Sequence, residues 1–364
     1  MRKIAFFIPA LEGGGAERVV VNLVKQFVKL DFEIHLLLSF AKGSYLKEVP
    51  DNVRIFDFKS RHVLYSLPKL VRYLRDEKPY AIVSSLNHAN LVVILAKLIS
   101  KSRTKLLVRE DSTPSKELKN NSSIKSKFLP LLMKALYPYA DAVVAVSEGV
   151  KEDLVKFVKV PQEKVKVIYN PVINESIFEK AKEKVDHSWF CGERSPVIIS
   201  VGRLTKAKGF ETLIRAFSLV RNEIDARLVI LGEGEERKSL ENLGRELGIS
   251  EYIWMPGFAE NPYKYMSRSS VFVLSSIYEG FGNVLVEALA LGLPVVSTDC
   301  KSGPREILEN GKYGKLVPVG DAESLAKAIV ETLRNPNSLR KPSKEVLQRY
   351  SVEYASKEYL KLLR

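Results

Sequence analysis

Short apolar runs rich in Val, Ile and Phe alternate along the chain with longer stretches in which apolar residues recur every three to four positions. The runs read as strands buried on both faces, and the stretches between them as amphipathic helices. Such alternation builds parallel sheets, because parallel neighbours need a crossover and a helix supplies it. In the first half the pattern predicts strands near 3–8, 33–38, 53–56, 80–84, 105–108, 142–146 and 165–169. After Asn170-Pro171 the periodicity fails for about 25 residues (VINESIFEKAKEKVDHSWFCGERS), a polar stretch that reads as a linker. A second series follows, with strands near 197–201, 227–231, 252–255, 271–275, 294–298 and 315–318. The expected fold class is α/β: two doubly wound Rossmann-like domains, residues 1–172 and 173–345. Helical spacing over 346–364 leaves a closing helix able to pack on either.

The 364 residues, 46% hydrophobic and 27% charged, have the composition of an ordinary globular protein of more than one domain. Two cysteines, Cys191 and Cys300, supply neither a disulfide framework nor metal-finger spacing, which fits a reducing cytoplasm. The longest apolar candidate for a membrane span, residues 91–99, already contains Lys97 and falls short of the roughly 18 residues required. The opening MRKIAFFIPALEGGG breaks at once into glycines, so it reads as a buried strand rather than a secretory leader.

The net charge of +14 is unevenly placed: residues 1–172 hold 29 basic and 17 acidic side chains, residues 173–345 hold 24 of each. A one-sided basic field points to an anionic partner, although a solubilising surface is the plainer account. Nucleic acid is not expected, since no recognisable module or interleaving of aromatics is present. Two basic amphipathic stretches, 61–75 (RHVLYSLPKLVRYLR) and 116–134 (KELKNNSSIKSKFLPLLMK), suit an anionic membrane surface. Their apolar faces would serve equally well to pack on the sheet.

Open α/β sheets bind ligands beyond the carboxyl ends of their strands, so the chemistry is sought there. The first strand runs into Gly13, Gly14 and Gly15, then Ala16-Glu17-Arg18 and a helix, where free backbone N–H groups could hold an anion. Arg18 stands where a dinucleotide fingerprint needs its third glycine, and the second strand ends in Leu38-Ser39 rather than an acidic residue. A turn that merely starts a helix is the alternative. The segment GRLTKAKG places Arg203 and Lys208 at the start of another helix, two cations that suit a diphosphate.

The sharpest feature is Glu279-Gly280-Phe281-Gly282-Asn283-Val284-Leu285-Val286-Glu287, two carboxylates across a strand-loop-helix junction. Glu287, a turn into the helix, suits a ribose diol, and Glu279 on the loop a second hydroxylated ring. Gly280, Phe281 and Gly282 can offer N–H groups to phosphate or sugar oxygens. The two carboxylates could instead be a glycosidase acid and base. The strand-end loops around Gly234 and Phe258 expose backbone of the kind that reads the edge of a base.

Taken in order, these segments resemble the family-4 retaining glycosyltransferases of the two-domain GT-B fold. The resemblance spans essentially the whole chain: GGGAER, the Asn170-Pro171 step, GRLTKAKG, GEGEER, PGF followed by Asn261, and the Glu-x7-Glu segment. It implies a C-terminal half that binds a nucleotide-sugar donor, an N-terminal half facing it across a cleft that binds the acceptor, and a closing helix that crosses back to the N-terminal domain. By that similarity Arg203 and Lys208 would neutralise the donor diphosphate. Glu287 would bind ribose, Glu279 the transferring sugar, and the backbone of Gly280, Phe281, Gly282 and Asn283 the phosphates. The base would lie near Gly234 and Phe258, with Gly13, Gly14 and Gly15 near donor phosphate and acceptor.

No metal and no separate cofactor is expected, since the chain has no Asp-x-Asp and its cations and helix-end N–H groups would meet the departing charge. One departure stands out. Many relatives carry a histidine just after the strand that here reads KLLVRE, where this chain has Arg109, Glu110 and Asp111, either facing the transferring sugar or forming a salt-bridged structural cluster. His88 follows another strand end. The segment 298–308 resembles bacterial relatives that transfer galactose-type or N-acetylhexosamine units.

The function expected is transfer from a UDP-hexose or UDP-N-acetylhexosamine to a lipid-linked glycan or lipopolysaccharide-type acceptor. It would be carried out in the cytoplasm by a protein peripheral to the inner face of the cytoplasmic membrane. A nucleotide-sugar epimerase of similar fold and a non-enzymatic basic binding protein are the alternatives; the latter would have no affinity for a donor.

Overall fold

The apolar runs become the strands of two separate parallel sheets in the computed structural model, which describes residues 2–120, 124–191, 195–300 and 302–364. One compact unit comprises Met1–Val172 with Arg349–Arg364, the other Ile173–Gln348. In unit 1 the strands are β1 (Arg2–Ile8), β2 (Phe32–Leu38), β3 (Arg54–Asp57), β4 (Ala81–Ser85), β5 (Lys105–Glu110), β6 (Ala142–Ala145) and β7 (Val165–Val167). Their order is β3-β2-β1-β4-β5-β6-β7. Unit 2 holds β8 (Val197–Val201), β9 (Arg227–Leu231), β10 (Ile253–Gly257), β11 (Val271–Leu274), β12 (Val295–Thr298) and β13 (Lys315–Val317), ordered β10-β9-β8-β11-β12-β13.

Each order reverses direction once: between β1 and β4 in unit 1, and between β8 and β11 in unit 2. At such a switch point the crossovers leave to opposite sides and open a crevice at the strand ends. The glycine loop follows β1, GRLTKAKG follows β8, and the segment with Glu279 follows β11. The fold thus delivers these motifs to its two crevices.

Helix Gly15–Val28 buries Val20, Leu23, Val24 and Phe27 against β1 and β2. The closing helix Val352–Leu363 inserts Ala355, Tyr359 and Leu363 into the same core, each 2% exposed or less. Burial of a side chain the size of Leu363 is worth about 2 kcal/mol. The helix starts where Ser351 accepts a hydrogen bond from the Tyr354 N–H at 3.1 Å, a cap worth about 1 kcal/mol. Val172 N–H donates to the Tyr350 carbonyl at 2.9 Å, and the rings of Tyr169 and Tyr350 meet at 5.5 Å. The outgoing and returning segments of the chain are therefore fastened together within unit 1.

The stretch after Pro171 is not the linker its composition suggests. Residues Glu175–Ala181 form a helix that belongs to unit 2, with Ile177 buried and the Lys180 carbonyl accepting from Asn261 Nδ2 at 2.8 Å. Beyond it His187 stacks on Trp254, ring centroids 3.9 Å apart, and Trp189 meets Trp254 edge-on. These rings pack on Trp254 of β10, the outer strand of its sheet. A seven-residue helix anchored by one apolar side chain leaves no period to read.

The two basic stretches differ. In 61–75 the apolar residues Leu70, Tyr73 and Leu74 are buried against the fold, leaving Leu64 and Tyr65 outside. Helix Ile124–Leu136 buries Met133 but exposes Phe128, Leu131 and Leu132 by 57, 61 and 49%; positions 121–123 of this stretch lie outside the described residues. Among the described residues no helix is long and apolar enough to cross a membrane.

Candidate active site

The crevice of unit 2 is built by two loops stitched to each other. Ser275 Oγ donates to the Lys208 carbonyl at 2.9 Å and Ile277 N–H to the Ala207 carbonyl at 2.8 Å. Gly209 makes this approach possible: at φ 59° a Cβ there would lie 2.2 Å from the Ser275 carbonyl oxygen. The stitching brings Lys208 Nζ to 2.5 Å from Glu279 Oε1, and Ser276 Oγ donates to the same oxygen at 2.6 Å. Lys208 therefore pairs with Glu279. Arg203 is exposed and makes no ion pair with a described residue.

Glu287 is the fifth residue of helix Asn283–Ala290, 7% exposed, and accepts from the Tyr263 hydroxyl at 3.3 Å. Phe281 sends its ring into the core, 2% exposed, so only its backbone belongs to the crevice. Gly282 precedes the helix and Asn283 opens it. At the end of β12, Thr298 Oγ1 and Cys300 Sγ both donate to the Ser276 carbonyl, at 2.6 and 3.1 Å. Burial pushes the Cys300 thiol up to about 12, so it stays protonated and able to donate. Lys301, within the segment compared with bacterial relatives, lies outside the described residues.

The neighbouring strand ends are tied in as well. Leu204 N–H donates to the Glu233 carbonyl at 2.8 Å and Glu236 N–H to the Leu204 carbonyl at 3.0 Å. Gly234 sits so close that a Cβ would lie 2.3 Å from the Leu204 carbonyl oxygen, so loop packing alone accounts for this glycine. The Arg237 guanidinium bonds both oxygens of Glu233, at 2.8 and 2.6 Å, and holds that carboxyl below its usual range. Phe258, after β10, is 45% exposed. Among the described residues no three His, Cys, Asp or Glu side chains gather as a metal site requires.

At the crevice of unit 1 the expected open anion loop is already occupied. Glu17 Oε2 accepts from Gly13 N–H at 2.6 Å and from Gly14 N–H at 2.9 Å. A carboxylate three residues into a helix reaches back to the cap, and the helix start favours its charge. The donors are satisfied from within. Arg18 joins a cluster in which Glu48 accepts from Arg18 at 2.6 Å and Lys25 at 2.8 Å. Burial opposes the charge on Glu48, but those two hydrogen bonds hold its carboxyl at about 2.

Arg109 is enclosed in unit 1. Fully buried, it donates to Asn170 Oδ1 at 2.7 Å, bonds Ser85, and pairs with Asp111. Glu110 is 1% exposed and accepts from the Tyr137 hydroxyl at 2.6 Å. Arg109 and Asp111 are thus salt-bridged, while Glu110 is bonded to Tyr137. His88 is exposed at the second position of helix Asn87–Ser100, beside the same switch point.

Sequence reasoning missed Ser276, Tyr263 and the role of Glu17. Ser276 stands three residues before Glu279, and Glu17 three after Gly14, so both had a local spacing to betray them. Tyr263 reaches Glu287 across 24 positions and gave no such signal.

The model of "Glycosyltransferase Family 4" matches residues 13–175, and that of "Glycosyl transferases group 1" matches residues 181–349. The chain is 36% identical over 359 residues to the N-acetylgalactosamine-N,N'-diacetylbacillosaminyl-diphospho-undecaprenol 4-alpha-N-acetylgalactosaminyltransferase of Campylobacter jejuni, covering 94% of this chain and 93% of that one. It is 26% identical to the lipopolysaccharide 1,6-galactosyltransferase of Salmonella typhimurium, over 87% of this chain and 86% of that one. In fold it is similar to Anabaena HepE, solved in complex with UDP and glucose, with a TM-score of 0.82 at 21% identity over 100% of this chain and 99% of that one. Both halves thus match glycosyltransferase models, and a relative above 30% identity matches along nearly the whole length: the chain belongs to the family-4 glycosyltransferases of the GT-B fold.

Proposed function

We propose that this glycosyltransferase moves a hexose or N-acetylhexosamine from a UDP-sugar to a lipid-linked glycan or lipopolysaccharide-type acceptor, with retention at the anomeric carbon and without a metal. The observation that carries the reading is the Lys208–Glu279 pair across the switch point of unit 2. A diphosphate is the stronger partner for Lys208, and sugar hydroxyls are natural donors to the carboxylate that Lys208 leaves. Arg203, exposed and without an ion pair to any described residue, supplies the second cation. Glu287, oriented by Tyr263, takes the ribose. As the anomeric bond breaks, negative charge grows on the departing UDP, and preorganised cations stabilise it where it develops.

The relatives support the substrate classes by their names: one acts on a diphospho-undecaprenol-linked saccharide, another on lipopolysaccharide, and the similar fold of HepE was solved with UDP. In this reading the protein works on a lipid-linked acceptor at the inner face of the cytoplasmic membrane, which the name of the undecaprenol-linked relative supports. The exposed Phe128, Leu131 and Leu132 on a lysine-rich helix suit an anionic leaflet. The deciding experiment is calorimetric titration of UDP, GDP and ADP in the presence of EDTA. Binding of UDP alone is the expected outcome; binding of none removes the donor site, and a requirement for divalent metal removes the metal-free mechanism.

A further inference from the structure

The donor site just proposed, on which this inference rests, contains one fully buried hydroxyl aimed at its key carboxylate. We infer that Ser276 is the positioning residue of Glu279: its hydroxyl fixes the carboxylate toward the sugar and stays with it when Lys208 turns to the diphosphate. Ser276 is 0% exposed and lies two residues beyond β11. Its segment is pinned from both sides. Toward β8 the Ser275 hydroxyl and the Ile277 N–H bond the carbonyls of Lys208 and Ala207. Toward β12 the sheet register ends at Leu274 against Ser297, and the side chains of Thr298 and Cys300 extend it by donating to the Ser276 carbonyl. With its backbone held by both neighbours, Ser276 points its hydroxyl along the loop to Glu279 Oε1, 2.6 Å away.

That oxygen receives two donors of unlike character. Lys208, its side chain 24% exposed on a flexible four-carbon stem, can swing to a phosphate. The Ser276 hydroxyl, on a one-carbon side chain with its segment bonded to both neighbours, has no such reach. Once Lys208 has moved, the hydroxyl keeps a largely buried carboxylate bonded and in one orientation, which a sugar-binding acceptor requires. The Ser276 hydroxyl bonds the carboxylate that receives the sugar and not the cation that meets the diphosphate, so its loss falls on recognition of the sugar.

The test is titration of UDP and of UDP-N-acetylgalactosamine, UDP-N-acetylglucosamine and UDP-galactose into wild type, Ser276→Ala and Ser276→Thr, scored on the nucleotide sugar that wild type binds most tightly. Ser276→Ala should bind UDP within about twofold of wild type but the nucleotide sugar about tenfold more weakly, the loss of one charge-assisted hydrogen bond. Ser276→Thr should restore most of the difference. Unchanged affinity for the nucleotide sugar in Ser276→Ala, or equal loss of UDP and nucleotide sugar, overturns the inference. Wild type that binds neither ligand refutes the donor reading itself, a separate result. Should Ser276→Ala fail to fold, Thr298→Val removes one donor to the Ser276 carbonyl at nearly constant volume. It should weaken the nucleotide sugar about threefold at constant UDP affinity, and no change would sink the proposal.

Discussion

The two crevices start from the same sheet logic and solve the same problem with opposite charges. In unit 1 the donors Gly13 N–H and Gly14 N–H are answered by the carboxylate of Glu17; in unit 2 the carboxylate of Glu279 is answered by the ammonium of Lys208. Half-buried polar groups need partners, and each loop carries one of its own. The difference lies in how each partner is held. Glu17 caps its own helix from three and four residues away and is part of what makes that helix start. Lys208 and Glu279 are 71 positions apart, brought together only by the sheet, and either can exchange its partner without unwinding anything. Contact order separates a structural ion from an exchangeable one.

The largest effect that could break this comparison is expected at the exchangeable pair. Lys208→Ala and Glu279→Ala should each lower kcat/KM for transfer by about 1000-fold or more. The melting temperature should move by no more than about 3 °C, because the pair is partly solvated and adds little to stability. Unfolding on the scale of the activity loss would make the pair structural. A smaller effect, of opposite kind, is expected at Glu17. Glu17→Ala should cost about 1–2 kcal/mol in denaturant unfolding and make the variant, unlike wild type, melt higher in phosphate buffer as the vacated N–H groups take an external anion. If phosphate stabilises both proteins alike, Glu17 is not the internal anion.

The smallest and most selective effect is a pH signature next to the same loop. The Glu48 carboxyl is held at about 2 in the folded protein, against about 4.3 when unfolded. A depressed carboxyl contributes stability that is full above the unfolded value and is lost as pH falls through the folded one. Glu48→Gln should therefore cost about 1 kcal/mol near pH 7, a deficit that shrinks below about pH 4.3 and vanishes near pH 2. Parallel stability curves over that interval would show that Arg18 and Lys25 do not select the charged form.

Much of this architecture was legible because a parallel strand buried on both faces is a continuous apolar run. The runs VIISV, RLVIL and VFVL fall on β8, β9 and β11 without ambiguity. The helix Glu175–Ala181 was not legible, since Ile177 alone anchors it and a single apolar residue has no period. At the site, residue types marked the loops, but pairing was invisible. Lys208 and Arg203 read as two cations for a diphosphate, but nothing in their spacing showed that the stitching of Ser275 and Ile277 would also deliver Lys208 to Glu279. Arg109 read equally as a group facing the sugar or as part of a salt-bridged cluster, because its position at a strand end does not say which way it turns. Its burial depends on Asn170, 61 residues away, and on Asp111 beside it. Spacing shows which groups a loop offers; only the sheet order decides which of them meet.

The return of the chain to unit 1 also sets the order in which the molecule can be made. Ala355, Tyr359 and Leu363 complete the core that β1 and the first helix begin, yet all of unit 2 is synthesised between them. At about 5–20 residues per second that interval is roughly 10–35 s. Throughout it the first 172 residues stand with the seat of the last helix uncovered, while the inserted unit has everything it needs to close. In the order of synthesis the seat on unit 1 waits for Val352–Leu363, which is made only after the whole of unit 2.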